Sequence, residues 1–286
     1  MTTEPLTYRL WKWVVQRVSR HRRSYEQHEL MNSTDWDVLV VLDACRWDVL
    51  QSVTEWPIDA CRSPGSTTGQ WLETAEQTGV FEDVVVVSGQ SQYAKYDVGA
   101  RTVDPVWETE WDGRLGLVPP EPVYDVAADY IDGGDLPVVA HVLPPHAPYV
   151  ARLGSLWVPI HPDVNIWKRN TSVRPADKIS QQTAMATGHI DLRRAAQGYR
   201  ASVESTWEVT LNYVEAWLER DLTVVVTADH GETFGRIRDF GLVEHPYDCH
   251  VAPLVRVPWV ELKRGSPPSR TPESVDEKLE ALGYVD

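Results

Sequence analysis

The segment Thr227-Ala228-Asp229-His230-Gly231-Glu232 places a carboxylate and an imidazole side by side at the end of an apolar run. Adjacent side chains of a strand point to opposite faces, so Asp229 and His230 cannot share one face within a strand. At a strand-to-loop exit both can converge on one cation, and Gly231 lets the chain turn there. Mixed oxygen and nitrogen donors suit one divalent ion, Mn or Zn ahead of Ca or Mg. Asp-His-Gly taken alone is more often a capped turn. Its position after Leu222-Thr-Val-Val-Val-Thr227 and before Glu232 shifts the balance to a metal turn.

Two further segments carry candidate chemistry. Asp43 closes the run Asp37-Val-Leu-Val-Val-Leu-Asp43. A carboxylate at the end of a buried strand is costly unless paired or metal-bound. It can also cap the next helix. The loop Gly65-Ser66-Thr67-Thr68-Gly69 precedes a helix, whose first backbone N–H groups favour an anion. A threonine hydroxyl there becomes a nucleophile only when a metal lowers its pKa. Read alone, the loop is a Ser or Thr helix cap.

The elements that must position these residues are legible. Residues 37–43, 83–88, 136–142 and 222–227 read as buried strands, rich in valine and leucine. Helices are predicted over 44–53, 70–79 with Gly79 as a stop, 122–132 and about 191–219. Strands alternating with helices imply a mostly parallel sheet with helices on both faces. Ligands bind such sheets at the carboxyl ends of the strands. Asp43, His146 and Asp229 all fall at or just beyond a predicted strand end, which argues for one shared site. Residues 89–120 and 151–185 lack periodicity; the first reads as an active-site surround or lid.

Composition sets the outer limits. The 286 residues suit one large domain with a small extension, and 42% hydrophobic residues are enough for a substantial core. Acid outweighs base by 42 to 27, giving a net charge of −15, which argues against nucleic-acid binding. Only six of the basic residues are lysine, and an acidic, lysine-poor surface suggests a halophilic source. Cys45, Cys61 and Cys249 have no metal-ligand spacing and imply no disulfide framework. No apolar run has the length of a membrane span, and no signal-peptide pattern opens the chain. The expected location is cytoplasmic.

Residues 6–23 depart from this acidity, with six Arg or Lys and no acid. Leu10, Trp13, Val14 and Val18 recur at helical spacing, with Trp11 near the boundary. Such a helix can rest peripherally on an anionic inner membrane surface. It can also pack on the protein's own acidic body or on a second copy. Packing is the expectation, because surface-binding helices are a minority of amphipathic ones. Residues 1–30 are accordingly read as a basic helical extension and 31–286 as the catalytic domain.

Taken in order, the segments resemble the alkaline phosphatase and sulfatase-like superfamily. Asp43-Ala-Cys-Arg46-Trp-Asp48 resembles its opening Asp-x-x-Arg-x-Asp. Gly65-Ser-Thr-Thr68 is similar to the Gly-Thr-x-Thr of phosphoethanolamine transferases, whose second threonine is the nucleophile. His141-Val-Leu-Pro-Pro-His146-Ala-Pro-Tyr149 resembles the His-x-x-x-Pro-His-x-Pro-Tyr loop, whose last histidine faces the substrate anion. Thr227 to Glu232 matches the metal turn. Glu244-His245-Pro, Val251-Ala-Pro-Leu254 and the closing Leu279 to Val285 resemble pieces that follow it.

The resemblance implies an alkaline-phosphatase-like α/β sandwich. It implies Asp43, Thr68, Asp229 and His230 as metal ligands, with Thr68 the nucleophile. His146 would bind the substrate anion and His245 would assist the leaving group or acceptor. The arginine expected four residues after the nucleophile is missing, position 72 being leucine, and Arg46 or Arg62 is read as supplying charge to the substrate instead. Cys61-Arg-Ser-Pro-Gly65 does not fit the formylglycine pattern Cys-x-Pro-x-Arg, nor do Cys45 and Cys249. No histidine follows an aspartate at the fourth position, which favours one metal over two. The implied activity is hydrolysis of a phosphate or sulfate ester. The alternatives are phospho-group transfer to a glycan or lipid head group, and a binding protein that keeps the fold without turnover. Ser66 and Thr67 stay open as alternatives to Thr68.

Overall fold

Valine-rich runs buried on both faces form the centre of the protein. The computed structural model describes residues 5–55, 57–160 and 181–266. Helices α1 (Leu6–Ser19) and α2 (Glu26–Ser33) lead into β1 (Val38–Leu42). There follow α3 (Trp47–Ser52), β2 (Asp59–Arg62), α4 (Thr68–Thr78), β3 (Val85–Ser88), β4 (Thr102–Asp104), α5 (Val106–Thr109) and α6 (Pro120–Gly133). Next come β5 (Val138–Val142), the hairpin β6 (Val150–Leu153) and β7 (Leu156–Pro159), α7 (Gln181–Ala186) and α8 (Leu192–Glu219). The described chain closes with β8 (Val224–Thr227), α9 (Ala252–Val255) and β9 (Arg256–Leu262).

Among the described residues, seven strands form one sheet in the order β2-β9-β8-β1-β5-β3-β4. The five strands from β8 to β4 run parallel, and β9 is antiparallel to both its neighbours. Val38 to Leu42 are each 0% exposed. Each such side chain contributes about 1.5–3 kcal/mol of burial free energy. In register, Val41 of β1 lies opposite His141 of β5 and Thr227 of β8. The residues just past these strands therefore leave the sheet at one common edge.

The strands that sequence periodicity missed are the short or irregular ones. β2 lies just ahead of the loop read at 65–69, and β4 lies inside 89–120. β9 carries Pro258, which cannot donate to a ladder and normally argues against an inner strand. Here its carbonyl accepts from Thr227 Oγ1 at 2.7 Å. The predicted helix over 191–219 is α8, where the Asp191 side chain caps the N–H groups of Arg193 and Arg194. Gly79 ends α4 as expected, at φ 64°.

Two observations sharpen the reading of the N-terminal part. The boundary at residue 30 falls inside α2, and α2 belongs to the body. Gln27 donates to Thr227 Oγ1 and the Ala228 carbonyl, and accepts from the Trp71 indole. Helix α1 does pack on the body, but not through its apolar stripe. Its inward face carries Val15 and Ser19, with Tyr8 and Lys12 half-buried beside them. Val15 joins Leu242, Val251, Leu254 and Val255 in a small apolar cluster. Leu10, Trp13, Val14 and Val18 point outward. The physical reason is polar: the inward face is held by hydrogen bonds to the 240–250 segment, which the outward residues cannot make. The closing Leu279 to Val285 motif, and residues 161–180 of the irregular segment, lie outside the described residues.

Candidate active site

The common edge of the parallel strands collects the expected residues. Asp43 follows β1, Gln90 follows β3, His146 follows β5, and Asp229 and His230 follow β8. Single donor atoms of Asp43, Asp229 and His230 all lie within 4.8 Å of one another, fully buried. His230 Nε2 is 3.4 Å from Asp43 Oδ1 and 3.6 Å from Asp229 Oδ2. The turn that aims them is tight. Ala44 sits in the left-handed region at φ 60°, a conformation that costs a non-glycine residue about 1–2 kcal/mol. Its N–H donates to Asp229 Oδ1 at 3.0 Å, and its carbonyl accepts from Tyr199 at 2.6 Å.

Gly231 is not in the left-handed region. It is required for space, since a Cβ there would lie 2.1 Å from the Pro253 carbonyl oxygen. Gly65 has a similar role, because a Cβ would meet the Trp71 backbone nitrogen at 2.8 Å. It lets the 63–67 loop lie against α4.

Of the three hydroxyls ahead of α4, two are engaged elsewhere. Ser66 Oγ donates to the Pro246 carbonyl at 2.7 Å and accepts from Cys249 N–H. Thr67 Oγ1 caps α4 by accepting from Gln70 N–H. Thr68 begins the helix, and its Oγ1 lies 3.4 Å from His230 Nε2. The structure thus brings Thr68 to the carboxylate–imidazole cluster.

His146 and His245 meet above this cluster. Their Nε2 atoms are 3.1 Å apart, and the His245 ring centroid is 4.6 Å from that of His230. His146 Nδ1 contacts the Ala147 carbonyl at 2.6 Å, so it carries a proton and donates. Neutral His146 then presents Nε2 as an acceptor to His245 Nε2–H and to Gln182 Nε2–H, the latter at 3.3 Å. Burial first, then the neighbouring His230 imidazole, lowers the His146 pKa to about 4. The same causes, with His146 added, take His245 well below its ordinary value. The backbone approaching His245 is again left-handed, at Glu244 with φ 68°.

The donor set fits a divalent cation. Asp43 Oδ1 and Asp229 Oδ2 are buried without a hydrogen-bond partner. The other oxygen of each carboxylate is held: Asp43 Oδ2 by the Gln90 amide, Asp229 Oδ1 by Ala44 and His230 N–H groups. His230 Nδ1 donates to the Gly231 carbonyl at 2.7 Å, which leaves the Nε2 lone pair facing the carboxylates. Burial and the Asp229 charge push Asp43 well up. Burial works the same way on Asp229, but the neighbouring His230 and His141 imidazoles and the Ala44 N–H hold it down. Two carboxylates and an imidazole in so dry a space are stabilised together by a positive ion.

Arg46 does not serve this site as expected. Its guanidinium bonds Asp48 through Nε and Nη2, and Asp239 and the Glu232 carbonyl through Nη1. It pins the metal turn from behind. Arg62 reaches the Arg22 carbonyl. Glu232 is buried too, and burial raises its pKa to about 8. Two residues that sequence reasoning passed over contribute, Gln90 and Gln182, as does His141, the first residue of the His-x-x-x-Pro-His motif. Gln90 lies two residues past β3, so the strand-end rule that found Asp43 could have found it. His141 Nδ1 contacts Tyr93 Oη at 3.1 Å, behind Asp229.

No protein-family model matches the chain, and no curated protein does. Solved structures do. The soluble domain of lipooligosaccharide phosphoethanolamine transferase A from Neisseria meningitidis aligns with TM-score 0.52 at 15% identity, over 78% of this chain and 75% of that one. The fold is alkaline-phosphatase-like. The integral membrane form of that transferase aligns with TM-score 0.52 at 14% identity, over 80% of this chain. The chain covers 48% of that protein, about half its length. At these identities the likeness concerns the fold, and the alkaline-phosphatase-like architecture expected from the ordered motifs is the one found. In it the mostly parallel sheet delivers Asp43, His146 and Asp229 to one edge, as the strand-end argument required.

Proposed function

We propose that this chain is a metal-dependent phospho-group transferase that acts through a covalent phosphothreonine at Thr68. One observation carries the proposal. The Thr68 hydroxyl stands 3.4 Å from the free nitrogen of a buried Asp43–Asp229–His230 donor set. Asp43, Asp229, His230 and Thr68 would hold one divalent cation. When bound, it would lower the pKa of the threonine hydroxyl and offset charge on the phosphate oxygens.

The residues of the chain do the rest. Thr68 Oγ forms a bond to phosphorus as the ester P–O bond breaks. The proton that Thr68 Oγ loses passes by way of the His146–His245 pair to the leaving oxygen. These imidazoles are neutral before substrate arrives, and an anion beside them raises their affinity for a proton. In the second step His245 accepts the proton of an acceptor hydroxyl, whose oxygen takes the group, and that proton returns to the freed Thr68 oxygen. Its Nδ1 has no hydrogen-bond partner and is available as the base. Cys45, Cys61 and Cys249 are buried thiols whose pKa values burial raises, which supports threonine over cysteine as nucleophile. The structurally similar soluble domain is that of a phosphoethanolamine transferase, which supports transfer ahead of hydrolysis.

The test uses an aryl phosphate ester, with Mn or Zn supplied. Thr68→Ala should lower turnover by roughly three orders of magnitude or more while still binding the metal. Asp229→Ala should lose both metal and turnover. Full activity in either variant overturns the proposal.

A further inference from the structure

Helix α1 shows its apolar side to the outside. At 100° per residue, Leu6, Leu10, Trp13, Val14 and Val18 lie within an arc of about 140°. Leu10 is 58% exposed, Trp13 62% and Val18 60%. The opposite face is already bound to the body. Tyr8 Oη accepts from Val243 N–H at 2.8 Å, Trp11 Nε1 donates to the Phe240 carbonyl at 2.7 Å, and Gln16 donates to the Tyr247 carbonyl at 2.7 Å. Ser19 Oγ accepts from His250 N–H at 3.0 Å. Phe240 and Tyr247, at two of these contacts, are exposed as well.

Charge decides what fits this face. Residues 6–23 carry six Arg or Lys and no acid in a chain of net charge −15. Arg9 borders the apolar arc, Arg17 rises within it, and Arg20, Arg22 and Arg23 follow it; all five are exposed, with Arg20 also paired to Asp248 and Arg23 donating to Thr74. Long arginine side chains can reach outward from such a face while the stripe is covered. A second copy of the chain would bring the same positive charges against these. An anionic bilayer brings the opposite charge, an apolar layer of the right depth, and an interface that accommodates tryptophan. No helix among the described residues is long and apolar enough to cross a membrane, so the contact is one of lying on the surface.

We infer that α1 docks this protein on an anionic lipid surface through Leu6, Leu10, Trp13, Val14 and Val18, with the flanking arginines on the headgroups. The docking does not depend on turnover. It bears on the proposed reaction because α1 is bonded along residues 240–250, the segment that carries His245. Docking would set that side of the site against the bilayer, where a lipid-borne phosphate ester or acceptor is found. That last point rests on the transferase reading.

The experiment is sedimentation of the full chain with phosphatidylcholine vesicles, with and without phosphatidylglycerol. Binding should be about tenfold or more tighter with phosphatidylglycerol and should weaken with salt. Leu10→Glu with Trp13→Glu should abolish it. Arg9→Glu with Arg17→Glu should lose most of the phosphatidylglycerol preference. These positions are exposed, so circular dichroism and the thermal midpoint should stay at wild-type values, as should turnover of a soluble aryl phosphate. Thr68→Ala should bind vesicles as wild type does, which separates failure of docking from failure of the catalytic proposal. Equal vesicle binding by wild type and the Leu10/Trp13 variant overturns the inference. So does a wild-type dimer in sedimentation velocity that the same variant dissociates, because a second copy would then cover the face.

Discussion

The amide of Gln90 donates to Asp43 Oδ2 and so decides which oxygen of Asp43 is turned toward His230. Groups that orient a metal ligand in this way typically change metal affinity by about 10–100-fold when removed. Gln90→Leu should therefore weaken Mn or Zn binding by roughly that factor, measured by calorimetric titration, while the thermal midpoint of the metal-free protein barely moves. Unchanged affinity would mean that Asp43 is held by its strand alone. The same amide shows where reading single residues stops. Asp43, Asp229, His230, Thr68, His146 and His245 were legible because their chemistry is specific and they follow strand ends or known motifs. Gln90 and Gln182 carry neutral amides that no motif marks. Arg46 was misread for a different reason: its motif fixes its place in the chain but not its direction. Two buried or half-buried carboxylates, Asp239 and Asp48, claim its guanidinium.

At the scale of elements, what the sequence revealed followed burial on both faces. β1, β3, β5 and β8 are continuous apolar runs because helices or other strands cover each side. β2 and β4 are short and only partly covered, so their residues alternate in no useful way. β9 was hidden by Pro258. Helix α9 escaped notice too, at four residues, yet it clamps the metal turn. Gly231 N–H donates to the Leu254 carbonyl at 2.7 Å, and the Pro253 carbonyl occupies the space a methyl group would need. Gly231→Ala must push α9 outward and strain that hydrogen bond. Overpacking and the weakened bond together should cost about 2–4 kcal/mol, read as a lower urea midpoint. A wild-type midpoint would show that α9 moves freely, and the turn would then be a poor candidate for a rigid cation site.

The whole molecule carries a pH dependence that needs no catalytic group. His28 on α2 is buried, with Nδ1 donating to Thr78 Oγ1 and the ring edge-on to Trp71. Burial lowers its pKa from 6.5 to about 4. The unfolded chain thus binds a proton between those values that the folded protein refuses. Stability is complete above pH 6.5 and falls as the pH drops toward 4, by up to about 3 kcal/mol from this group. His28→Gln should flatten the slope of unfolding free energy across that window relative to wild type; an unchanged slope would place the acid sensitivity elsewhere. The order of strands has its own consequence for biosynthesis. β8 enters the sheet between β9 and β1, though Val224 is paired with Val38 from the other end of the described chain. On a ribosome, Asp43 and Thr68 emerge early, and until β8 follows, one edge of β1 has no strand to pair with. Half of the candidate cation site does not yet exist at that stage. Under the proposed function, metal capture would have to wait for Asp229 and His230. A nascent protein stalled before Asp229 offers an open strand edge, to a chaperone or to another chain, where the folded protein offers the Asp43–Asp229–His230 donor set.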